Sequence, residues 1–259
     1  MPTHWVPDEV FEIRDGVWIR NSVDNSVWAD LGDGVVAIDG LEETALAPVI
    51  QAEIQRTVGK PFKWLINTHW HGDHIACNPI WARDGVTVIA HESMGPPTAE
   101  HDGRPDICFA STYALQGSER EVHIEWLGGT HTQWDSIVHF PWARVLHIAD
   151  LFGWGMIPLG QMDWRKVPRI HEVLTRVLEY DADIFIPGHG PLLTPEHIRR
   201  WIVYFDDICE RAPAMAAAGR SERDIQETIP PPADMTDWWK FTDWKHERNL
   251  HLLATTPRS

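Results

Sequence analysis

The sequence predicts an α/β fold in which two groups of strands form packed sheets that helices cover. One group of strand-like runs lies before residue 91 and the other lies between Val122 and Ile186, and segments with helical spacing separate them. A length of 259 residues suits one domain of this class. Because no charge-rich linker, low-complexity segment or repeat divides the chain, we expect a single domain over residues 1–259 with a helical tail at about 236–254.

The first group of strands is indicated by apolar runs between turn residues. Phe11–Asn21 contains the turn pair Asp15-Gly16, and the runs Val27–Leu31 and Val35–Ile38 flank Gly32-Asp33-Gly34, a strong hairpin signal. The elements that follow are a helix over Glu42–Val58, a strand over Phe62–Asn67, a helix that ends near Ala82 and a strand over Val86–Ala90.

The second half begins with a segment that lacks periodicity. Residues 93–118 contain Pro96-Pro97 and several glycines, which predict a loop with one short helix. The strands that follow are predicted at Val122–Trp126, Ser136–Phe140, Val145–Ile148 and Ile184–Ile186. A loop over Phe152–Asp163 precedes helices at Val167–Tyr180, Pro195–Glu210 and, after Pro230-Pro231-Pro232, Trp238–Leu253.

The charge balance excludes some classes of partner. With 22 Lys and Arg against 38 Asp and Glu, the net charge is −16. Because phosphate backbones and anionic membranes select basic surfaces, we expect a small-molecule substrate, no nucleic-acid partner and no membrane partner. Met1–Glu12 has neither the basic start nor the apolar run of a secretory signal, and three scattered cysteines predict no disulfide framework, which together favour the cytoplasm.

The strongest chemical signal is His69-Trp70-His71-Gly72-Asp73-His74, which directly follows the predicted strand Phe62–Asn67. Histidine is the commonest metal ligand, and four ligand-type residues occur here within six positions. An aspartate beside three histidines in a core is costly unless a metal ion or hydrogen bonds compensate it. The segment therefore predicts a metal-binding turn rather than a solvated polar turn.

This motif resembles the signature of the metallo-β-lactamase superfamily. Three further segments resemble the same family in the same order: Gly128-Gly129-Thr130-His131-Thr132, Leu146-His147-Ile148-Ala149-Asp150-Leu151-Phe152 and Ile186-Pro187-Gly188-His189-Gly190. The resemblance covers about residues 10–210, and the tail at 245–250 is similar to tails of some hydrolase members. It implies a four-layer αβ/βα sandwich with the site at one edge of the paired sheets.

The resemblance also implies a site for two metal ions. The first ion would be held by His69, His71 and His131, the second by Asp73, His74 and His189, and Asp150 would bridge them. Nitrogen and carboxylate ligands without a thiolate suit two zinc ions per chain, although iron and manganese also fit. Two close cations can share a hydroxide nucleophile, and Asp73 would orient it and pass a proton to the leaving group.

Three departures from the common family pattern bear on the substrate. Ala149 stands where glycine usually precedes the bridging aspartate, and Gln133-Trp134 follow Thr132 where many members have a glycine-containing turn. No cysteine occupies the bridging position, unlike one well-known group of lactam-hydrolysing members, which argues against an antibiotic-resistance enzyme.

The substrate pocket is less clearly indicated than the metal site. Trp70, Trp134 and Trp154 lie near the ligands in sequence and form either an aromatic wall for an apolar substrate or ordinary core. Trp154 is the strongest candidate because Gly153 and Gly155 flank it in a predicted loop. The tryptophans of the tail suit a homo-oligomer interface as well as the chain's own core.

Hydrolysis of an ester, lactone, thioester or amide (including lactam) bond in a small, apolar or aromatic substrate is the function we expect. One alternative is a mononuclear iron oxidoreductase resembling sulfur dioxygenases, because some relatives use a similar motif to bind one iron. Another is a binding module on a retired enzyme scaffold. The presence of all seven ligand residues favours the hydrolase.

Overall fold

The computed structural model describes residues 8–94 and 103–258. The predicted loop residues Pro96-Pro97 and the first seven residues of the chain lie outside the described part. Within it, the chain forms two mixed sheets and seven α-helices, with short 3₁₀ turns between them.

The first sheet has seven strands that lie in chain order. The strands are β1 (Glu9–Arg14), β2 (Val17–Asn21), β3 (Ser26–Asp30), β4 (Val35–Ile38), β5 (Phe62–Ile66), β6 (Thr87–His91) and β7 (Ile107–Phe109). Strands β1 to β4 pair antiparallel through the predicted turns, and β4 to β7 pair parallel. The parallel strands bring the carboxyl end of β5 to one edge of the sheet.

The second sheet has five strands in the order β12-β11-β10-β9-β8. The strands are β8 (Thr112–Gln116), β9 (Glu121–Trp126), β10 (Ser136–Phe140), β11 (Val145–His147) and β12 (Ile184–Ile186). Strands β11 and β12 pair parallel, and the remaining pairs are antiparallel.

Helices cover the outer face of each sheet. They are α1 (Ala47–Thr57), α2 (Gly72–Ile75), α3 (Asn78–Arg83), α4 (Val167–Leu178), α5 (Pro195–Ala217), α6 (Glu222–Thr228) and α7 (His246–Thr255). One apolar cluster joins the two sheets, a second joins the first sheet to α1 and α3, and a third joins the second sheet to α4, α5 and α7. The predicted four-layer αβ/βα sandwich is therefore confirmed.

Three predicted elements differ from the structure and one helix was not predicted, because tertiary contacts decide the backbone at these places. The helix predicted to end near Ala82 is two short helices, because the amides of Ala76 and Cys77 donate to Leu41 and Gly40 instead of continuing α2. The loop predicted over 93–118 contains β7 and β8, which form by pairing with β6 and β9. Helix α6 was not predicted, and the final helix begins with a π-helical turn over Phe241–Lys245.

No helix in the described ranges, 8–94 and 103–258, is long and apolar enough to span a bilayer.

Packing between α5 and the second sheet supports the half of the molecule that carries Asp150 and His189. Phe205 on α5 is fully buried and stacks on Trp201 at a centroid distance of 4.7 Å. We predict that Phe205→Ala lowers the free energy of unfolding by about 3–5 kcal/mol, because it leaves a cavity in a packed core. Val203→Ala on the same helix, where Val203 is 63% exposed, should change it by less than about 0.5 kcal/mol. Urea denaturation measures both, and equal effects would contradict this packing.

Candidate metal centre

Four segments supply the seven predicted ligands, and each segment follows the carboxyl end of a strand. The motif His69–His74 follows β5, His131 lies between β9 and β10, Asp150 follows β11, and His189 follows β12. Because the two sheets pack face to face, these strand ends meet at one edge of the sandwich. The structure brings all seven side chains together, in two groups of ligand atoms.

The first group contains His69, His71, His131 and Asp150. His71 Nδ1 lies 3.1 Å from His69 Nε2 and 3.0 Å from His131 Nε2. Asp150 Oδ2 lies 3.4 Å from His131 Nε2 and 3.9 Å from His69 Nε2. A tetrahedral zinc ion with ligands at about 2.0–2.2 Å separates adjacent ligand atoms by about 3.3–3.6 Å. The four atoms therefore have a spacing that suits one ion.

The second group contains Asp73, His74 and His189. Asp73 Oδ2 lies 3.4 Å from His189 Nε2 and 3.8 Å from His74 Nε2. Asp150 reaches this group as well, since its Oδ1 lies 3.7 Å from His74 Nε2 and its Oδ2 lies 3.2 Å from His189 Nε2. Asp150 faces both groups, which is the position that a bridging ligand requires.

Two buried polar atoms test whether a metal ion fits. His74 Nε2 and Asp150 Oδ1 have no hydrogen-bond partner among the described residues. Buried polar atoms without a partner are rare, because such an atom loses its hydration without compensation. The two atoms face each other at 3.7 Å, which is too long for a hydrogen bond. A cation held by both atoms would compensate them, so the residues present fit a metal ion.

The protonation states of the ligands also fit a cation. Burial lowers the pKa of His69 to about 3, so its imidazole is neutral, the form that binds metals. Burial would raise the pKa of Asp150, but His74 and His189 lower it well below its usual range. At His74, burial would lower the pKa, but Asp39 and Asp150 raise it to about 10. The carboxylates therefore favour a positive charge beside His74, whether a proton or a metal ion supplies it.

Asp39 holds two of the histidines in the orientation that metal binding needs. Its Oδ2 accepts hydrogen bonds from His74 Nδ1 at 2.8 Å and from Thr68 Oγ1 at 2.7 Å, and its Oδ1 accepts from the Thr68 amide at 2.8 Å. Because the Thr68 hydroxyl donates to Asp39, its oxygen can accept from His69 Nδ1 at 3.0 Å. Both imidazoles thus present Nε2 to the site.

Neither Asp39 nor a second supporting carboxylate, Asp24, was predicted from the sequence. Asp24 Oδ1 lies 2.6 Å from His189 Nδ1 and orients that imidazole in the same way. Asp39 directly follows β4, and the metal ligands also follow strand ends. This shared position was the sequence feature that could have identified Asp39. Asp24 offers no comparable signal, because it lies between β2 and β3 and meets His189, far along the chain, through an isolated β-bridge.

Residues 22–189 match the family described as the Metallo-beta-lactamase superfamily, and this range contains all seven ligands. The chain belongs to the metallo-β-lactamase superfamily. A curated relative, 2,4-dinitroanisole O-demethylase subunit alpha from Nocardioides sp. (strain JS1661), is 27% identical over 202 residues. That alignment covers 73% of this chain and 57% of the relative.

Solved structures share the fold at low sequence identity. A metallo-β-lactamase from Pontibacter korlensis has a TM-score of 0.66 and 22% identity, with 77% of this chain and 98% of that chain covered. The stereoselective inverting sec-alkylsulfatase Pisa1 from Pseudomonas sp. has a TM-score of 0.73 and 14% identity, with 95% of this chain and 50% of that chain covered. These likenesses establish the fold.

A cavity of about 220 Å³ opens beside the second group of ligands in this superfamily member. Asp150 and His189 form one side of it. The remaining wall is mostly apolar and consists of Phe152, Gly153, Met156, Trp239, Trp244 and Lys245. Three of these wall residues come from the tail, which lies beyond the range that matches the superfamily. His131 borders a separate and more polar groove.

The three tryptophans that lie near the ligands in sequence, Trp70, Trp134 and Trp154, lie outside this cavity. Trp154 is fully buried, donates from Nε1 to the Pro191 carbonyl at 3.0 Å and packs edge-on against Trp238, so it belongs to the core. Trp134 is half-buried and donates to the Ser93 carbonyl, and Trp70 is half-buried beside the ligand motif. None of the three lines the cavity beside Asp150 and His189.

Gly188 supplies the space in which two ligands approach each other. A Cβ atom at this position would lie 2.0 Å from Asp150 Oδ1 and 3.0 Å from His74 Cε1. We predict that Gly188→Ala loses most of the bound metal, because the methyl group displaces the carboxylate. Gly72→Ala is the matched control, since its Cβ would meet no atom within 4 Å although Gly72 lies inside the ligand motif. Elemental analysis checks both, and equal metal content would contradict this geometry.

The role of Asp39 is tested by Asp39→Asn. The Thr68 backbone amide requires an acceptor, so the side-chain oxygen of the new asparagine stays there and its NH₂ group points at His74 Nδ1. His74 Nδ1 would then accept a hydrogen bond, and the imidazole proton would lie on Nε2, the atom that faces the metal site. We predict that metal affinity falls about 10–100-fold. Competition with a chromophoric chelator measures it. Asp30→Asn is the control, since Asp30 lies at the end of β3 and accepts from Lys60, and it should leave the metal affinity unchanged. An equal loss of affinity in Asp30→Asn would contradict a specific role for Asp39.

Proposed function

We propose that this protein is a metal-dependent hydrolase that cleaves an ester, lactone, thioester or amide bond in a compact, apolar or aromatic substrate. The observation that carries the proposal is the position of Asp150, which faces both groups of ligand atoms and also lines the mostly apolar cavity. Two zinc ions, held by the seven side chains, would generate a hydroxide nucleophile at neutral pH and polarise the scissile carbonyl.

The protein's own residues would orient the reactants and move protons. Asp73 is the more exposed of the two ligand carboxylates, with 39% of its side chain accessible against 11% for Asp150. Its interaction with His189 keeps the pKa of Asp73 well below its usual value, so the carboxylate is ionised. An accessible, ionised carboxylate beside the reacting water can accept its proton and pass it to the leaving group.

The cavity wall would bind the apolar part of the substrate. Phe152, Met156 and Trp239 present apolar surface next to Asp150 and exclude water from that side. The curated relative is named for the O-demethylation of 2,4-dinitroanisole, a single-ring aromatic ether. That name supports a compact aromatic substrate for this chain as well.

A one-iron oxidoreductase is the second candidate. An O-demethylase can remove a methyl group either with water or with an oxidant, so the relative's name is compatible with both chemistries. The complete second group, Asp73, His74 and His189, supports two metals and therefore hydrolysis. An enzyme that binds one iron would leave this group without an evident role.

Isotope labelling separates the two candidates. We predict that the zinc-loaded protein hydrolyses members of a panel of phenyl esters, thioesters and lactones, and that ¹⁸O from labelled water enters the acid product without oxygen consumption. His71→Ala and Asp150→Ala should lose metal and most of this activity, because each removes a ligand from the first group. His123→Ala, an exposed histidine paired with Glu121, should keep both. Oxygen-dependent turnover by an iron-loaded protein would contradict the hydrolase.

A further inference from the structure

Lys245 lies in an unusual environment on the wall of the cavity beside Asp150 and His189. It is 2% exposed and ends the π-helical turn Phe241–Lys245. Its Nζ donates to the Trp239 carbonyl at 2.8 Å and lies 4.2 Å from the centroid of the Trp239 ring. No carboxylate among the described residues forms an ion pair with it, and burial lowers the pKa of Lys245 to about 7.

A buried ammonium group without a carboxylate is costly to maintain. It has three N–H donors, of which the Trp239 carbonyl takes one. Contact with the Trp239 ring offsets part of the lost hydration. Single π-helical turns occur frequently at functional sites, and this one positions Lys245 at the cavity. Two N–H donors of Nζ thus have no hydrogen-bond partner among the described residues, and Lys245 is one of the residues that line the cavity.

The size of the cavity limits that molecule. An apolar cavity of about 150 Å³ accommodates a benzene molecule, and the volume here is about 220 Å³. One six-membered ring with a small substituent fills this volume, whereas two fused rings exceed it. The aromatic wall formed by Phe152, Trp239 and Trp244 suits the faces and edges of such a ring.

We propose that this cavity is a recognition site for a single aromatic ring that carries an anionic oxygen group, and that Lys245 is the residue that binds this oxygen group. This inference rests on the proposed function, because the cavity lies beside the metal ligands, and it specifies the class of substrate. The ligand would be an aryl compound with a carboxylate or phenolate-type oxygen, held by charge-assisted hydrogen bonds from Nζ. Lys245 would then determine specificity, while the metal ligands carry the reaction.

Isothermal titration of the metal-loaded full chain tests the proposal with benzoate, benzamide and 2-naphthoate as probes. The wild-type protein should bind benzoate about tenfold or more tightly than neutral benzamide, because a charge-assisted hydrogen bond is lost with the amide. It should bind 2-naphthoate more weakly than benzoate, because the second ring does not fit. Binding of benzoate does not require hydrolysis. A protein that binds benzoate as described but hydrolyses no substrate of the panel would contradict the proposed function and leave the proposed recognition site intact.

Lys245→Met removes the charge and preserves the length of the side chain. It should weaken benzoate binding about tenfold or more and leave benzamide binding within about threefold, at unchanged metal content. Lys240→Met is the matched control, because Lys240 also lies over the Trp239 ring, at 4.9 Å, but does not line the cavity. Lys245→Arg retains the charge and should keep a preference for benzoate over benzamide. If it does, weaker benzoate binding by Lys245→Met reflects the lost charge and not a folding defect.

Four results would overturn the proposal. Undetectable binding of benzoate to the wild type would exclude an anionic aromatic ligand. Unchanged benzoate affinity in Lys245→Met would show that the metals, not the lysine, receive the carboxylate. Equal losses in Lys240→Met would show a general charge effect, and equal affinities for benzoate and 2-naphthoate would show that the cavity does not select a single ring.

Discussion

Asp150 carries a carboxylate into the interior of the protein, and the arrangement around it is what compensates the buried charge. An isolated carboxylate in a protein core is expensive, so its position requires compensation by a cation or by hydrogen-bond donors. Imidazoles surround it, and their Nε2 atoms lie 3.2 to 3.9 Å from its two oxygens. The strand ends that meet at this edge of the sandwich make that arrangement possible, because each contributes a ligand at a point where the backbone leaves the sheet.

A second set of groups, which do not bind the metal themselves, holds the ligands in position. Asp39 orients His74 directly and His69 through Thr68, and Asp24 orients His189. Ala149, which precedes Asp150, has a φ of +48°, a conformation that glycine adopts more readily, and this accounts for the glycine usual at this position in the family. The methyl group costs some strain but leaves Asp150 in place.

The tail connects the metal centre to the cavity. Gly190, one residue after His189, would place a Cβ 2.6 Å from the Trp239 ring, so the absence of a side chain there lets the tail pack against the ligand loop. The loop that supplies a ligand therefore also supports the cavity wall. This packing links the shared superfamily site to a segment beyond the range that matches the superfamily.

The sequence was sufficient to predict the features that depend on local patterns. The strands that flank the turns followed from periodicity, whereas the four-layer sandwich and the convergence of the seven ligand residues were implied by the resemblance of four motifs, in order, to the superfamily. Strands β7 and β8 were missed because pairing with β6 and β9, and not a local pattern, decides their backbone. Asp24 was missed because its partner lies far along the chain.

The cavity wall shows the same limit, because its residues from the tail were not predicted to lie near the metal ligands. Trp154 lies next to a ligand in sequence, but its ring turns into the core, whereas Trp239, Trp244 and Lys245 reach the cavity only because the tail folds back across the ligand loop. Proximity in sequence does not determine which face of a loop a side chain occupies. Only the three-dimensional packing separates the core tryptophan from those on the cavity wall.

The number of metal ions bound per chain is the most direct test of the shared site, because Asp150 lies within reach of both groups of ligand atoms. The full chain, purified and dialysed against zinc, would be examined by elemental analysis together with its protein concentration. The arrangement of Asp150 between the two groups predicts about two zinc ions per chain. A stoichiometry of one metal ion per chain, with only weak binding of further zinc or iron at the second group, would contradict a shared two-metal site.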